Sequence, residues 1–510
     1  MNLAKVYSAQ FDVLNSFIVE IEVDIYKSGV PVFKIVGLPD KAVDESKERV
    51  STALKNIGFS DENPKRYKVT ASLSPADQKK EGPIFDLPIA VGYLLANGDI
   101  DFNPENKIFV GELALDGSLK KIKGILAIVR IAKEKGFSSV YVPEENVKEA
   151  SLVDDINIFG VKNLKNLVEH LRQEKNEEKN LNKVIKPSVS ELLEEYNKYN
   201  KVDFCDVIEQ EVAKRALEIA AAGGHNIAMY GPAGTGKTML ARAFTTILPK
   251  LSKEQALEVT EIHSTVGVLD QTLISTPPFR SPHHTASYVA VIGGGTYPKP
   301  GEVTLSHRGV LFLDEFVEFD KRVLESLREP LEDGFVNISR AKGSVKFPAR
   351  FTLIAALNPP SEVFRNGGSV SYAEAQKFRK KLSGPIIDRI DLWTEVAKVD
   401  HKKLSGGGNQ TEKSENIRNR VEKARKLQKE RYNEEILNAN IGVKEINKYI
   451  NLNDEQKNIL EDAAKKLDFS PRVYHKILKI SQTIADLDND GKIKKEHILE
   501  ALQYRPKEII

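Results

Sequence analysis

Gly231-Pro232-Ala233-Gly234-Thr235-Gly236-Lys237-Thr238 is a complete G-x-x-x-x-G-K-T loop. It follows the strand-like run NIAMY (226–230) and opens the helix-like run TMLARAFTTIL (238–248). Strand, glycine-rich loop and helix, in that order, are the setting in which this motif cradles phosphates. Gly231, Gly234 and Gly236 let backbone amides turn inward, and the helix N-terminus adds its partial positive charge. Lys237 is expected to neutralise the β- and γ-phosphates of ATP, and Thr238 to ligate Mg²⁺.

A second element completes the site. Gly309-Val-Leu-Phe-Leu-Asp314-Glu315 reads as a buried strand delivering two carboxylates at its C-terminal end. Alone, an apolar run ending in Asp-Glu is a weak signal; downstream of a phosphate loop it is a strong one. Asp314 suits the Mg²⁺ shell beside Thr238, and Glu315 suits polarising the attacking water. Another buried-strand pattern, FTLIAALN (351–358), ends in Asn358, a polar group placed to orient water or sense the γ-phosphate. ATP hydrolysis with Mg²⁺ is the expected chemistry.

Outward from this site, the chain has 510 residues, which at roughly 100–200 per domain predicts about three or four domains. It is 41% hydrophobic and 29% charged, enough to bury cores and too apolar to be disordered throughout. Its one cysteine, Cys205, excludes internal disulfides and a multi-thiolate metal cage. No apolar run reaches the roughly 18 residues that span a bilayer. The N-terminus, MNLAKVYSAQFDVL, has no signal-peptide apolar core. A soluble, cytoplasmic protein with no membrane partner is expected.

The first 170 residues alternate strand-like runs (18–26, 32–38, 67–73, 107–113, 139–143) with helix-like runs (40–58, 86–98, 124–136). Residues 172–200 are charge-rich and read as a linker, a second α/β region follows, and the Ser405–Asn409 run is a glycine-rich joint before a helical segment. Net charge is only +2, so any basic surface must be local. Residues 338–350 carry Arg340, Lys342, Lys346 and Arg350 without an acid; residues 365–381 carry five basic residues against Glu374. Gly334–Pro348 reads as a β-hairpin with its tip at Ala341-Lys342-Gly343. Arg340 and Lys342 suit DNA backbone contact, a salt-dependent interaction that needs no base reading; a solvated loop is the alternative. Lys299, in the glycine-rich insert 287–306, carries a weaker version of the same choice.

The stretches GVLFLDEFVEFDKRVLESLREPLEDG (309–334), FRSPHHTAS (279–287) and SGPIIDRID (383–391) resemble the magnesium-chelatase-like AAA+ ATPases, most closely the ComM/YifB family. The resemblance covers nearly the whole chain. It implies an α/β fold with three parts: an N-terminal Lon-protease-like (ribosomal S5 domain 2-like) domain at 1–171, an AAA+ P-loop NTPase core at 201–404, and a C-terminal helical lid at 405–510. It also implies that Asn358 is sensor 1, that Arg389 is an arginine finger acting on a neighbouring subunit's ATP, and that Arg472 is sensor 2. Guanidinium groups suit these tasks because they stabilise charge developing on the γ-phosphoryl. A finger supplied in trans implies a ring, and the resemblance implies a homo-hexamer.

Proteolysis is not expected. A Lon-type site needs a serine after Gly82-Pro83 and a lysine in the following helix; Ile84 and Leu126 stand there instead. His283 and His284, adjacent on an extended chain, should point to different sides and read as polar scaffolding near the nucleotide site. Asp486–Ile493 begins like a calcium loop, but its twelfth position is His497 where a bidentate glutamate is needed. The resemblance implies a DNA translocase or helicase acting on single-stranded or branched DNA, with branch migration as its task in recombination during natural transformation. A protein-remodelling ATPase and a chelatase-type motor subunit stay open as alternatives. The hairpin's basic tip, with no aromatic at 340–344, favours DNA.

Overall fold

Strict alternation builds the first sheet. In Asn15–Lys27, Val19, Ile21, Val23 and Ile25 are buried while most of the residues between them are not, the period-two pattern of a half-covered strand. The structure is a computed structural model that describes residues 2–12, 15–28, 32–59, 67–173, 202–269, 271–295, 298–340, 343–358, 384–398 and 412–506. It divides into two units: Met1–Tyr196 with Ala256–Ile274, and Asn197–Gln255 with Ser275–Ile510.

In the first unit the strands are β1 (Asn2–Asp12), β2 (Asn15–Lys27), β3 (Val32–Val36), β4 (Tyr67–Ser74), β5 (Lys107–Phe109), the short β6 (Glu112–Leu113) and β7 (Leu119–Lys120), β8 (Ser139–Pro143) and β9 (Asn157–Val161). Seven of them form one mixed sheet in the order β3-β4-β2-β1-β5-β8-β9. β1 and β9 were not among the sequence-predicted strands. β8, buried at all five positions, is a fully covered parallel strand, and its neighbours supply the covering pairs. The helices Asp86–Asn97 and Ile125–Glu134 pack their apolar sides on β1 and β2, and the short helix Val147–Ala150 packs on β8.

The helix Lys253–Val266 begins in the second unit and continues in the first, although its sequence lies inside the predicted 201–404 core. Polar contacts, those of Ser264 buried, hold it there. Ser264 Oγ donates to the Glu149 carboxylate and accepts the Gly124 amide at 3.1 Å, while Arg130 pairs with Glu261. Burial raises the Glu149 carboxyl above its ordinary range, against the Ser264 hydrogen bond.

The second unit contains β10 (Ile227–Tyr230), β11 (Phe279–Arg280), β12 (Gly293–Gly294), β13 (Lys299–Pro300), β14 (Val310–Leu313), β15 (Phe335–Arg340), β16 (Gly343–Pro348), β17 (Thr352–Leu357) and β18 (Leu392–Glu395). Its main sheet is five-stranded and parallel throughout, in the order β11-β14-β17-β10-β18. β10, β14 and β17 are buried at every position, as strands covered on both faces must be. Trp393 of β18 is buried with them. The helices Glu211–Gly223, Lys237–Ile247, Ser414–Tyr432 and Pro471–Leu487 share one apolar cluster with these strands. The linker 174–200, the basic stretch 365–381 and the Ser405–Asn409 joint lie outside the described residues.

Candidate nucleotide site

Parallel order places the functional strand ends side by side, where open α/β sheets bind ligands. β10 lies beside β17, with Tyr230 opposite Leu357, and β17 lies beside β14, with Ala355 opposite Leu313. Gly231, Asn358 and Asp314 therefore follow three neighbouring strands. The loop is built for close approach. A Cβ on Gly231 would stand 2.2 Å from the Val396 carbonyl oxygen, and Gly236 has φ of +91°, so neither position accepts a side chain without strain.

Lys237 opens the helix Lys237–Ile247 and is buried. Its Nζ donates to the carbonyls of Gly231 at 2.9 Å and Pro232 at 2.8 Å. Burial lowers the pKa of this ammonium, against the charge of Asp314. Thr235 Oγ1 donates to the Pro232 carbonyl at 3.0 Å and locks the loop's turn. Thr238 Oγ1 donates to Asp314 Oδ2 at 3.0 Å, and Asp314 Oδ1 accepts the Glu315 amide at 2.9 Å. The hydroxyl and the carboxylate form a pair of hard oxygen donors of the kind Mg²⁺ takes. Together with the glycine cradle, they fit a nucleotide with its metal.

Glu315 sits in the left-handed region, with φ of +51°, where a glutamate is strained. That backbone turn redirects its carboxylate away from the strand axis, and Oε2 meets His284 Nδ1 at 3.1 Å. The two histidines do not point to opposite sides. Their ring centroids are 4.2 Å apart, because the chain turns at 284–285 and the Ala286 amide returns to the His283 carbonyl. Asn358 Oδ1 is buried with no hydrogen-bond partner among the described residues, a cost sustained at strand ends that face a polar ligand.

Arg389 and Arg472 take a partner the sequence did not suggest. Arg389 pairs with Glu332, and Arg472 pairs with the same carboxylate. Nothing in the local pattern around Glu332 signals this, since its partners come from segments far along the chain. The backbone of Arg340 closes β15 opposite Gly343, so the two arms pair antiparallel and Gly343, read as part of the tip, opens β16 instead. The Arg340 side chain and all of Lys342 lie outside the described residues. A Cβ on Gly293 of β12 would meet Ile338 of β15 at 2.9 Å, so the glycine-rich insert packs directly against the hairpin.

The Asp488, Asp490 and His497 ligand atoms lie within 4.8 Å of one another. Lys494 Nζ already neutralises Asp490 at 2.7 Å. His497 Nδ1 accepts the Lys494 amide at 2.9 Å, which leaves the ring proton on Nε2 facing the carboxylates. This is a helix-start cap. In the first unit, Ile84 and Leu126 are both buried.

A glycine phosphate loop, an Asp-Glu strand end and a polar Asn on adjacent parallel strands define a P-loop protein of the AAA+ type. Family profiles agree along the chain: "Magnesium chelatase, subunit ChlI" matches residues 203–404, "Subunit ChlI of Mg-chelatase" matches 21–146, and "Magnesium chelatase, subunit ChlI C-terminal" matches 411–505. Competence protein ComM of Haemophilus influenzae is 42% identical, over 99% of this chain and 98% of that protein. Protein YifB of Escherichia coli is 39% identical, over 99% of this chain and 97% of that one. Lon protease 2 of Bacillus subtilis is 29% identical, over 44% of this chain and 48% of that protein. The chain belongs to the magnesium-chelatase-like AAA+ family, in the branch that contains ComM and YifB.

Proposed function

We propose that this chain is an ATP-driven, hexameric DNA translocase or helicase that promotes branch migration in recombination during natural transformation. The single observation that carries its ATPase half is the contact between Thr238 and Asp314 beside the Lys237 loop. Its DNA half is supported by the hairpin β15–β16 and by full-length similarity to a protein named for competence.

Lys237 binds by exchanging the Gly231 and Pro232 carbonyls for phosphate oxygens, a stronger, charge-assisted partner for a buried ammonium. Thr238 and Asp314 would hold Mg²⁺, which when bound would neutralise phosphate charge. Glu315 orients the attacking water and accepts its proton, and the His284 contact limits where that carboxylate sits. Asn358 Oδ1, without a hydrogen-bond partner among the described residues, accepts a hydrogen bond from the same water. Arg389 faces the γ-phosphoryl of a neighbouring subunit, and Arg472 adds a second guanidinium. Arg340 and Lys342 contact phosphates of single-stranded or branched DNA along the ring's inner face. No helix among the described residues is long and apolar enough to cross a membrane, and a cytoplasmic location suits a DNA motor.

The test is ATP turnover measured without DNA and with single-stranded, duplex and four-way DNA, together with subunit mixing. Branched DNA should raise turnover, and mixing Arg389→Ala with Lys237→Ala subunits should restore part of what each lacks. Turnover indifferent to every DNA would transfer the reading to protein remodelling.

A further inference from the structure

Three segments distant in sequence meet at one carboxylate oxygen. Glu332 is the penultimate residue of the helix Arg328–Asp333. Its Oε1 lies 2.6 Å from Arg389 Nη2 and 3.0 Å from Arg472 Nη2. The carrier helix is itself fixed, because Glu329 accepts from Asn337 Nδ2 of β15 at 2.5 Å and Gly334 ends it in the left-handed region.

The two arginines are held very differently apart from this oxygen. Arg389 is buried and also donates through Nη1 to the Pro385 carbonyl at 2.5 Å. Arg472 opens the helix Pro471–Leu487 with its side chain 42% exposed. Two guanidiniums sharing one acceptor repel, and the carboxylate between them offsets that repulsion. Burial pushes the Glu332 carboxyl up, yet the hydrogen bonds from Arg389 and Arg472 outweigh it and hold the group below its ordinary range. Without the charge, Arg389 stays where burial and Pro385 keep it, while Arg472 turns to solvent.

We propose that Glu332 is a positioning residue for ATP hydrolysis, holding Arg389 and Arg472 together as one pair of cations. The proposal rests on the assignment of both arginines to the γ-phosphoryl. It predicts a defect in the chemical step and not in nucleotide binding, since Glu332 has no contact with the phosphate loop among the described residues.

The experiment uses the full chain with Glu332→Gln, which keeps size and loses charge. At saturating ATP, kcat should fall about tenfold while KM changes less than about threefold. In an Arg472→Ala background the same substitution should cost less than about twofold, because the pair is already gone. Glu332→Asp keeps the charge and should lose only about threefold in kcat, and it carries the same test should the glutamine variant not fold. A wild-type kcat in Glu332→Gln, or a full tenfold loss that persists in the Arg472→Ala background, overturns the proposal. Arg389→Ala separates the two levels. If it turns over ATP like wild type, the arginine assignment itself fails; if it is impaired while Glu332→Gln is not, only the pairing role fails.

Discussion

Lys80 of the first unit and Lys237 of the second share the same local bonding. Each ammonium is buried, donates to two backbone carbonyls, and has its pKa lowered by burial. Their surroundings separate them. Close after Lys80 in sequence, Asp86 has its charge paired: Arg49 grips it at 2.7 and 2.9 Å, and the Leu113 amide donates to the same carboxylate at 3.1 Å. Nearby in sequence, Ile84 is buried. The Lys237 loop instead follows a strand beside the one that leads into Asn358, whose Oδ1 has no hydrogen-bond partner among the described residues, and Glu315 is held in a strained backbone turn. A buried charge among paired groups is scaffold, and one set among unmet bonds marks a site.

The sharpest way to break that contrast is Glu315→Gln. Loss of the proton acceptor should lower kcat by at least about 100-fold while ATP binding, measured by fluorescence titration, persists. Equal turnover would remove Glu315 from the site. In the first unit, Leu126→Lys places a charge at a fully buried position. It should cost about 4 kcal/mol in denaturant unfolding, and combined with Ile84→Ser it should yield no peptide hydrolysis. Retained stability with new peptidase activity would show a dormant site instead of a filled core.

Asp391 tests whether a satisfied charge in the second unit is scaffold too. Burial works to raise its pKa, but the Lys476 ammonium and His225 outweigh this and bring it down to about 2. A depressed carboxyl stabilises the fold above its unfolded value and loses that stability as pH falls toward the folded value. Asp391→Asn should therefore cost about 2 kcal/mol at pH 7, and the gap to wild type should close between about pH 4 and pH 2. A gap independent of pH would point to packing. The smallest effect is expected at the hairpin. Arg340→Ala with Lys342→Ala should lower the salt slope of DNA binding by at most about two, with basal turnover intact. An unchanged slope returns the hairpin to a solvated loop.

The phosphate loop, the Asp314-Glu315 strand end and the Asn358 strand were legible in the chain because each is a short local pattern whose neighbours dictate its geometry. The central strands were legible for the same reason, since β10, β14 and β17 are unbroken apolar runs. β1 was harder to read, with Ser8 and Gln10 buried among its apolar positions. Alternation on an extended chain put His283 and His284 on opposite sides, and a turn brought them together. By itself, then, the sequence determined which residues can bind a nucleotide, through loop chemistry that depends on a few adjacent backbone torsions. Only the tertiary structure decided which charges are already consumed: that Arg389 and Arg472 converge on Glu332, and that Ser264 is bound to Glu149. Such pairs join residues more than fifty positions apart, and ion pairing depends on distance in space, which no local pattern records.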